Sequence, residues 1–249
     1  MALLKFSYRF KKGPIYDSSL PVTYAQGATQ VMDLLLYKPD VINCVIARDD
    51  TQPERYHNEA IERAYQAGKK VVRVDYEYPQ KISRYYSIIA ECHKYDDKMN
   101  PGSHLVLVNP SLYGNAGAII RSALAFDITN IAIISERPYD TFSPLLLRSS
   151  MGTRFKAHLE VFGTMKDYME RFPENKRYAF MLDQRASNLK DIKKEGPYSL
   201  IFGNESCGLP PEYAEFCQPV YIEQNRELDS LNIASSVSIA LYNFARLNG

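Results

Sequence analysis

The feature that most constrains the fold is a succession of strand, loop, helix and strand between residues 105 and 134. Residues 105–108 form an apolar run typical of a buried strand, and residues 131–134 form a second one. A glycine-containing loop at 109–115 and a helix at 116–126 join them. Buried strands that are joined through a helix run parallel to each other. Further elements are predicted as strands at 178–182, 199–202 and 220–222, and as a final helix at 233–247. We therefore predict an α/β fold, with a parallel sheet and helices on both of its faces.

The first hundred residues predict a smaller α/β unit. Between residues 23 and 74 the pattern is helix, strand, helix, strand, and Gly68 is positioned to end the second helix as its C-cap. The segment 94–103 is polar and contains Asn-Pro-Gly, which is typical of a domain boundary. We place that boundary near residue 100, which gives a small α/β accessory domain at 1–100 and a larger domain at 101–249.

The composition indicates an ordinary folded protein, because 45% of the 249 residues are hydrophobic and 24% are charged. No apolar run is long enough to span a membrane and the start has no signal-peptide core, so we expect a cytoplasmic protein with no membrane partner. The cysteines, Cys44, Cys92, Cys207 and Cys217, lack the spacing of a zinc site or a disulfide framework. The histidines lack the helical spacing of metal ligands. We expect buried free thiols and no metal.

The net charge of +1 neither favours nor excludes nucleic acid, because a local basic patch is enough to bind RNA. The N-terminus is the basic end, where Lys5, Arg9, Lys11 and Lys12 occur without an acidic residue. Residues 5–11 alternate as in a strand with one basic face and one aromatic face. That face could contact phosphates, or it could belong to an edge strand whose lysines discourage aggregation. The sequence leaves both interpretations open.

Residues 109–123, NPSLYGNAGAIIRSA, form the first block that indicates chemistry. Asn115 is positioned to cap the helix, and the start of such a helix suits an anionic or nucleotide ligand. Arg121 is the single charge on an otherwise apolar helix. It could pair with a carboxylate of the protein or bind a phosphate, to which its planar fork is suited. Dinucleotide binding, with Glu136 as the ribose-binding acid, is disfavoured because the glycines are spaced GNAG rather than GxGxxG.

The second block is residues 200–210, LIFGNESCGLP, which run from a buried strand into a glycine-containing turn. Gly203 permits a close backbone pocket at the carboxyl end of the strand, where open α/β sheets bind ligands. Glu205 is expected at the mouth of that pocket. An ordinary strand-to-helix turn would have the same pattern, so this block alone does not decide the function.

The third block, residues 220–246, contains a strand, a polar loop and the final helix, which Ser230 or Asn232 could cap. In this order the three blocks resemble the motifs of the SpoU/TrmH family of tRNA and rRNA ribose 2′-O-methyltransferases, within the SPOUT superfamily. The resemblance covers residues 105–247, and residues 139–155 are similar to the family segment between the first two motifs. The N-terminal region is similar, with less specific residues, to the small RNA-binding accessory domain of the family.

The resemblance carries functional roles over to individual positions. The residues that match the catalytic positions are Asn115, Arg121, Glu205, Ser230 and Asn232. The residues that match the cofactor-binding positions, which act largely through their backbone, are Gly203, Asn204, Ile222 and Leu231. Glu223 departs from the family, which usually has a proline there. The resemblance also implies a trefoil-knotted C-terminal domain, a homodimer with the pocket near the subunit interface, S-adenosyl-L-methionine as cofactor, and tRNA or rRNA as partner.

These residues predict methyl transfer from S-adenosyl-L-methionine to a ribose 2′-hydroxyl of RNA, without a metal. Because a guanidinium is a poor proton acceptor, we expect Arg121 to hold the target phosphate and stabilise the developing alkoxide. Ser230, Asn232 or water would complete the proton path, and Glu205 could offset the positive charge of the cofactor. Two alternatives remain open: an RNA-binding protein that has lost catalysis, in line with the change at Glu223, and a dinucleotide-dependent oxidoreductase.

Overall fold

The structure is a computed structural model that describes residues 16–48, 55–74, 86–225 and 230–246. Its strands are β1 (Val22–Gln26), β2 (Ile42–Arg48), β3 (Lys70–Val74), β4 (Ile88–His93), β5 (His104–Val108), β6 (Asn130–Ile134), β7 (His158–Phe162), β8 (Lys176–Phe180), β9 (Ser187–Asn188), β10 (Tyr198–Phe202) and β11 (Gln218–Tyr221). Its α-helices are α1 (Ala28–Tyr37), α2 (His57–Gln66), α3 (Tyr113–Ala125), α4 (Pro144–Ser149), α5 (Met165–Arg171), α6 (Tyr213–Phe216) and α7 (Ile233–Arg246).

The chain divides into two compact units. The N-terminal unit contains Met1–Tyr95 together with Phe142–Lys156, and the C-terminal unit contains Asp96–Thr141 together with Ala157–Gly249. The chain therefore leaves the C-terminal unit once, contributes a short segment to the N-terminal unit, and returns.

The N-terminal unit has a four-stranded sheet in the order β1-β4-β2-β3. Strand β4 is antiparallel to both β1 and β2, whereas β3 is parallel to β2. Helices α1 and α2 contribute the apolar faces that form the core of this unit with the sheet. Gly68 ends α2 as predicted, because it takes a φ of 66° while its amide donates to Tyr65 and the next amide donates to Ala64.

The segment Phe142–Lys156 differs from the predicted domain division, which assigned it to residues 101–249. Leu147 and Phe155 are buried in the core of the N-terminal unit. The hydroxyl of Thr23 on β1 donates to the carbonyl of Phe142 at 2.8 Å. Burial of these two apolar side chains explains why the segment packs with residues that lie more than a hundred positions earlier. The assignment of an RNA-binding role to the N-terminal unit stays a prediction.

The C-terminal unit contains a seven-stranded sheet in the order β7-β6-β5-β10-β8-β11-β9, and every adjacent pair of strands is parallel. Helices α5 and α6 pack on one face, where Val106 and Ile201 belong to their core cluster. Helix α7 packs on the other face, where Phe244 contacts the rings of Tyr178 and Tyr198. The predicted α/β fold with a parallel sheet is thus confirmed. All the strands end at the same edge of the sheet, here called the carboxyl edge.

Among the described residues, the predicted elements are found with boundaries that move by up to three residues. The second helix of the N-terminal unit, which the sequence pattern places at 53–67, begins at His57, and residues 53 and 54 lie outside the described residues. The alternating strand predicted at 5–11 lies outside the described residues. Strands β1, β4, β7 and β9 and helices α4, α5 and α6 were not predicted. Within the described ranges, no helix combines the length and the apolar character needed to cross a lipid bilayer.

Candidate active site

A cavity of about 590 Å³ opens at the carboxyl edge of the C-terminal unit. Its wall is formed by the loops that follow β8, β10 and β11 and by the start of α7. The volume lies in the range of pockets that hold a cofactor or a small ligand. Parallel sheets bind ligands at this edge because the loops after neighbouring strands converge there.

Gly203 follows β10 directly and shapes the second block into a tight turn. The space that a side chain at this position would need is occupied, because a Cβ atom there would collide with the Gly208 carbonyl and the Leu209 amide. The Asn204 and Gly208 backbones bond to each other in both directions, at 3.2 and 2.9 Å. The Asn204 side chain donates to the Asn109 carbonyl at 2.8 Å, which joins this turn to the first block. Glycine is therefore required at position 203 by close backbone approach, as the sequence predicted.

Glu205 lies beside the cavity, but its carboxylate is turned to the first block. One oxygen accepts from the Ser111 amide at 2.9 Å and from the Ser111 hydroxyl at 2.8 Å. The other accepts from the Leu112 amide at 3.1 Å and from Nδ2 of Asn115 at 3.3 Å. Burial by itself raises the pKa of Glu205, but the hydrogen bonds from Ser111 and Leu112 outweigh it, so the pKa lies below its ordinary value. Four donors fill the acceptor positions of an ionised carboxylate.

The start of α3 differs from the prediction in two ways. The helix begins at Tyr113 with Leu112 as its N-cap, so Asn115 lies within the first turn and does not cap it. The anion at the start of this helix is the carboxylate of Glu205, where the sequence suggested an external anionic ligand. A carboxylate at a helix start is stabilised by the free amides and the helix dipole.

Asn115 and Asn232 connect all three blocks through a hydrogen-bond chain whose direction is determined. Asn115 donates Nδ2 to Glu205, which can only accept, so its Oδ1 faces Nδ2 of Asn232 at 3.4 Å. Oδ1 of Asn232 accepts from the Ala234 amide at 2.9 Å and so caps α7. The capping interpretation of Asn232 is correct, and the same side chain also contacts Asn115.

Arg121 lies on the exposed side of α3, two turns after the start of the helix. It makes no hydrogen bond or ion pair with the residues that the structure describes. Pairing with a carboxylate of the protein, one of the two predicted interpretations, is therefore not observed. Neither Arg121 nor Asn115 lines the cavity.

The remaining predicted residues line the cavity, and Glu223, which departs from the family pattern, lies next to one of them in the chain. The residues of this group that line it are Gly203, Asn204, Ile222, Ser230 and Leu231. Ser230 is exposed. Glu223 accepts from Nδ2 of Asn188 at 3.0 Å and from Nζ of Lys190 at 3.1 Å, and these partners lower its pKa. The side chain that replaces the usual proline is thus held on the neighbouring segment.

Several residues at this edge were not predicted as part of the site. Ser111 and Leu112 hold Glu205, and Tyr139 packs its ring 5.0 Å from that of Tyr113. Asp183 lines the cavity and is bound by Arg185 at 3.0 Å. The role of Ser111 could not be predicted from the first block alone, because its partner Glu205 lies 94 positions away in the chain.

The structure can also be compared with the expectations for the cysteines and for metal ligands. Three cysteines are buried, whereas Cys207 is exposed in the turn beside the cavity, so the expectation of buried thiols is wrong for that residue. In the ranges that the structure describes, no cluster of three or more His, Cys, Asp or Glu side chains is arranged to hold a metal ion.

Comparison with known proteins supports the likeness of the three blocks to a family. The model of the SpoU rRNA Methylase family matches residues 102–242, which is more than half of the chain. TrmJ of Pseudomonas aeruginosa, a tRNA (cytidine/uridine/adenosine-2′-O-)-methyltransferase, is 31% identical over 145 residues, which are 56% of this chain and 49% of that protein. A Synechocystis protein described as an uncharacterised tRNA/rRNA methyltransferase is 30% identical over 53% of this chain and 49% of its own length. The chain thus spans about half the length of these curated relatives.

Solved structures extend the likeness of fold over nearly the whole chain. The AdoMet-bound rRNA methyltransferase of Sinorhizobium meliloti has a TM-score of 0.72 and 22% identity, with 92% of this chain and 88% of that chain covered. The SpoU methyltransferase AviRb of Streptomyces viridochromogenes, in complex with AdoMet, has a TM-score of 0.76 and 18% identity, with 92% and 91% covered. At these identities the likeness establishes a common fold. From the family match over the region that contains the cavity, the first two blocks and most of the third, the chain belongs to the SpoU rRNA Methylase family.

Proposed function

We propose that this protein is an S-adenosyl-L-methionine-dependent RNA methyltransferase that modifies a ribose 2′-hydroxyl of tRNA or rRNA. The observation that carries the proposal is the hydrogen-bond chain from Glu205 through Asn115 to Asn232. It joins the three blocks that resemble the family motifs at the edge of one cavity. Family membership and the 2′-O-methyltransferase activity of relatives such as TrmJ support the same reaction.

The cavity fits the proposed cofactor in size and in the character of its wall. Its volume of about 590 Å³ is sufficient for an adenosine with an amino-acid arm. Gly203 and the turn after it line the cavity, and Phe180 and Phe202 stack at 4.3 Å and contribute an apolar wall. We assign binding to Gly203, Asn204, Ile222 and Leu231. When bound, S-adenosyl-L-methionine would supply an activated methyl group.

The residues of the chain would mainly orient the RNA and support loss of a proton. Methyl transfer is an in-line displacement, so alignment of the ribose oxygen with the methyl carbon is the first requirement. Arg121, exposed and without a partner among the described residues, would bind the target phosphate and stabilise the developing alkoxide. Glu205 would act through Asn115 as a positioning residue, because its acceptor positions are already used.

The hydrogen bonds of Asn232 and Glu205 reduce the number of groups that could accept the proton of the ribose hydroxyl. Both ends of the Asn232 amide are engaged, with Asn115 and with the Ala234 amide. Hydrogen bonds keep Glu205 ionised and fill its acceptor positions, so it is not the proton acceptor, whereas its negative charge beside the cavity could still offset the positive charge of the cofactor. Ser230, exposed at the cavity, or a water molecule beside it would therefore receive the proton.

We also propose that the protein is a cytoplasmic homodimer with a trefoil-knotted C-terminal domain, and that the N-terminal unit contacts RNA. The dimer is supported by Ile239 and Tyr242, which are exposed on α7 at 41% and 54%. It is also supported by the position of Arg121 outside the cavity of its own chain. Mixed dimers of Arg121→Ala and Gly203→Ala chains should regain part of the methyl transfer if one copy supplies the arginine to the cavity of the other.

The central test is transfer of a labelled methyl group from S-adenosyl-L-methionine to candidate tRNA and rRNA, followed by mapping of the modified ribose. The proposal expects stoichiometric label at one 2′-oxygen. Cofactor binding without transfer to any RNA would favour the RNA-binding protein that has lost catalysis. Binding of NAD in place of S-adenosyl-L-methionine would favour the oxidoreductase, although Glu136 does not line the cavity.

A further inference from the structure

Ser111 makes two of the four hydrogen bonds that hold Glu205. Its amide and its hydroxyl both donate to the same carboxylate oxygen, at 2.9 and 2.8 Å. The other oxygen receives the Leu112 amide and the Asn115 side chain. Ser111 therefore fills, with its amide and its hydroxyl, the carboxylate oxygen that Asn115 does not bind, and the hydroxyl is the only side-chain donor to that oxygen among the described residues.

The carboxylate of Glu205 determines how the amide of Asn115 points. An ionised carboxylate only accepts, so it selects Nδ2 of Asn115 and leaves Oδ1 for Asn232. If Glu205 took up a proton or rotated, this selection would weaken and the Asn115 amide could turn over. Hydrogen bonds to the charged form keep Glu205 ionised, in line with its lowered pKa.

We propose that Ser111 is a positioning residue of the methyl-transfer site, which locks Glu205 in its ionised orientation and thereby orders Asn115 and Asn232. This inference rests on the proposed function for its catalytic readout. Ser111 touches Glu205 and acts on the reaction through it. The contacts run from Ser111 through Glu205 to Asn115 and Asn232, and neither asparagine lines the cofactor cavity. A change at Ser111 should therefore lower kcat more than it weakens cofactor binding.

The experiment compares Ser111→Ala with Ser111→Thr, which keeps a hydroxyl, and with Ser135→Ala as a matched control. The hydroxyl of Ser135 donates to the backbone carbonyl of Arg137 at the end of β6, so the control removes a similar bond near the same edge. We expect Ser111→Ala to lower kcat about tenfold, the effect of one hydrogen bond to a charged group. The acid limb of the pH profile should move to higher pH, because Glu205 loses a donor to its charged form. Ser111→Thr should restore both.

A second measurement does not depend on activity. A carboxyl group whose folded pKa is lowered stabilises the fold above its unfolded pKa, near 4.3, and loses that contribution as the pH falls through the folded pKa. The difference in free energy of unfolding between the natural protein and Ser111→Ala should therefore be largest near pH 7 and shrink in acid. It should also nearly vanish on a Glu205→Gln background.

The outcomes separate the two proposals. Unchanged kcat and pH profile in Ser111→Ala, while the natural protein methylates RNA, would overturn the role of Ser111 and leave the proposed function intact. A fall in kcat without a shift of the pH profile and without rescue by threonine would also overturn it, since that is the signature of a structural defect. Absence of transfer by the natural protein, with the pH-dependent coupling of Ser111 and Glu205 intact, would instead overturn the proposed function.

Discussion

The two edges of the parallel sheet in the C-terminal unit both carry networks of hydrogen-bonded polar side chains, which are buried at one edge and exposed or half-buried at the other. At the amino edge, where the strands begin, Nδ1 of His104 lies 2.8 Å from the Tyr168 hydroxyl, and that hydroxyl lies 2.6 Å from Ser199. Asn175 donates to the Tyr198 carbonyl and to Ser199. At the carboxyl edge, comparable hydrogen bonds surround a cavity and leave Arg121 exposed.

The state of His104 illustrates how closed the amino edge is. Its Nε2 faces the Asn100 carbonyl at 2.9 Å, so Nε2 carries the hydrogen and Nδ1 accepts. Burial lowers the pKa of His104, despite the hydrogen bond to Asn100, so the ring stays neutral. Each of these groups is satisfied by another group of the protein, and the network can stabilise the sheet without binding anything. A network of hydrogen-bonded polar side chains therefore marks a candidate site only where a cavity or an exposed charge accompanies it.

The largest expected effect is the loss of methyl transfer on replacement of Arg121. We expect Arg121→Ala to lower kcat by at least ~100-fold, as for removal of a donor to developing charge. Arg121→Lys should recover little, because lysine lacks the planar fork. The free energy of unfolding and cofactor affinity should stay unchanged, since the side chain is exposed and has no partner among the described residues. Transfer assays with thermal unfolding of the same samples measure both quantities.

Arg137→Ala is the matched control for this prediction, because Arg137 is also an exposed arginine of the C-terminal unit. It should keep the activity of the natural protein. Near-full turnover by Arg121→Lys would contradict bidentate contact with the phosphate, and a large loss of stability in Arg121→Ala would mean that the arginine supports the fold.

Gly203→Ala should weaken both cofactor binding and the carboxyl edge itself. The added Cβ would overlap the backbone of Gly208 and Leu209, which cannot rotate away. We expect a loss of about 1–3 kcal/mol in stability, the usual cost of overpacking, and at least tenfold weaker binding of S-adenosyl-L-methionine by calorimetry. Gly163→Ala is the control, because its Cβ would meet a single side-chain oxygen at 3.5 Å. Equal affinity in both variants would exclude a tight turn at Gly203 as part of the binding site.

The contrast between local and distant contacts explains what could be predicted from the sequence. The alternation of strands and helices, Gly68 and the close approach at Gly203 follow from local pattern, and the structure agrees with each. The start of α3 at Tyr113 could not be predicted, because no side chain caps it locally and the anion at its start comes from Glu205. Packing of Phe142–Lys156 with the N-terminal unit likewise depends on apolar contacts between residues far apart in the chain.

Tyr168→Phe tests the amino edge by removal of one hydroxyl. That hydroxyl bonds to His104 and Ser199, and both would lose a buried partner. We expect a fall of about 1–3 kcal/mol in the free energy of unfolding, measured with urea. Cofactor affinity and kcat of the folded protein should not change, because the network lies at the opposite edge from the cavity. A loss of affinity without a loss of stability would show that the two edges are coupled.

Tyr139→Phe makes the same tyrosine-to-phenylalanine change at the carboxyl edge. Of the predicted changes in the free energy of unfolding, we expect this one to be the smallest and to have the opposite sign to that of Tyr168→Phe. Oη of Tyr139 is buried and has no hydrogen-bond partner among the described residues. Burial, followed by the nearby Tyr113, Glu205 and Asp140, raises the pKa of Tyr139, so the hydroxyl stays neutral. Replacement by phenylalanine keeps the ring contact with Tyr113 and removes an unsatisfied group, which is neutral or stabilising. We expect Tyr139→Phe to raise the free energy of unfolding by zero to about 1 kcal/mol.

If Tyr139→Phe instead lowers stability as Tyr168→Phe does, both edges depend on satisfied hydroxyls and the contrast between them fails. If stability is kept while methyl transfer falls, the hydroxyl acquires its partner from the RNA or the cofactor, and Tyr139 belongs to the working site.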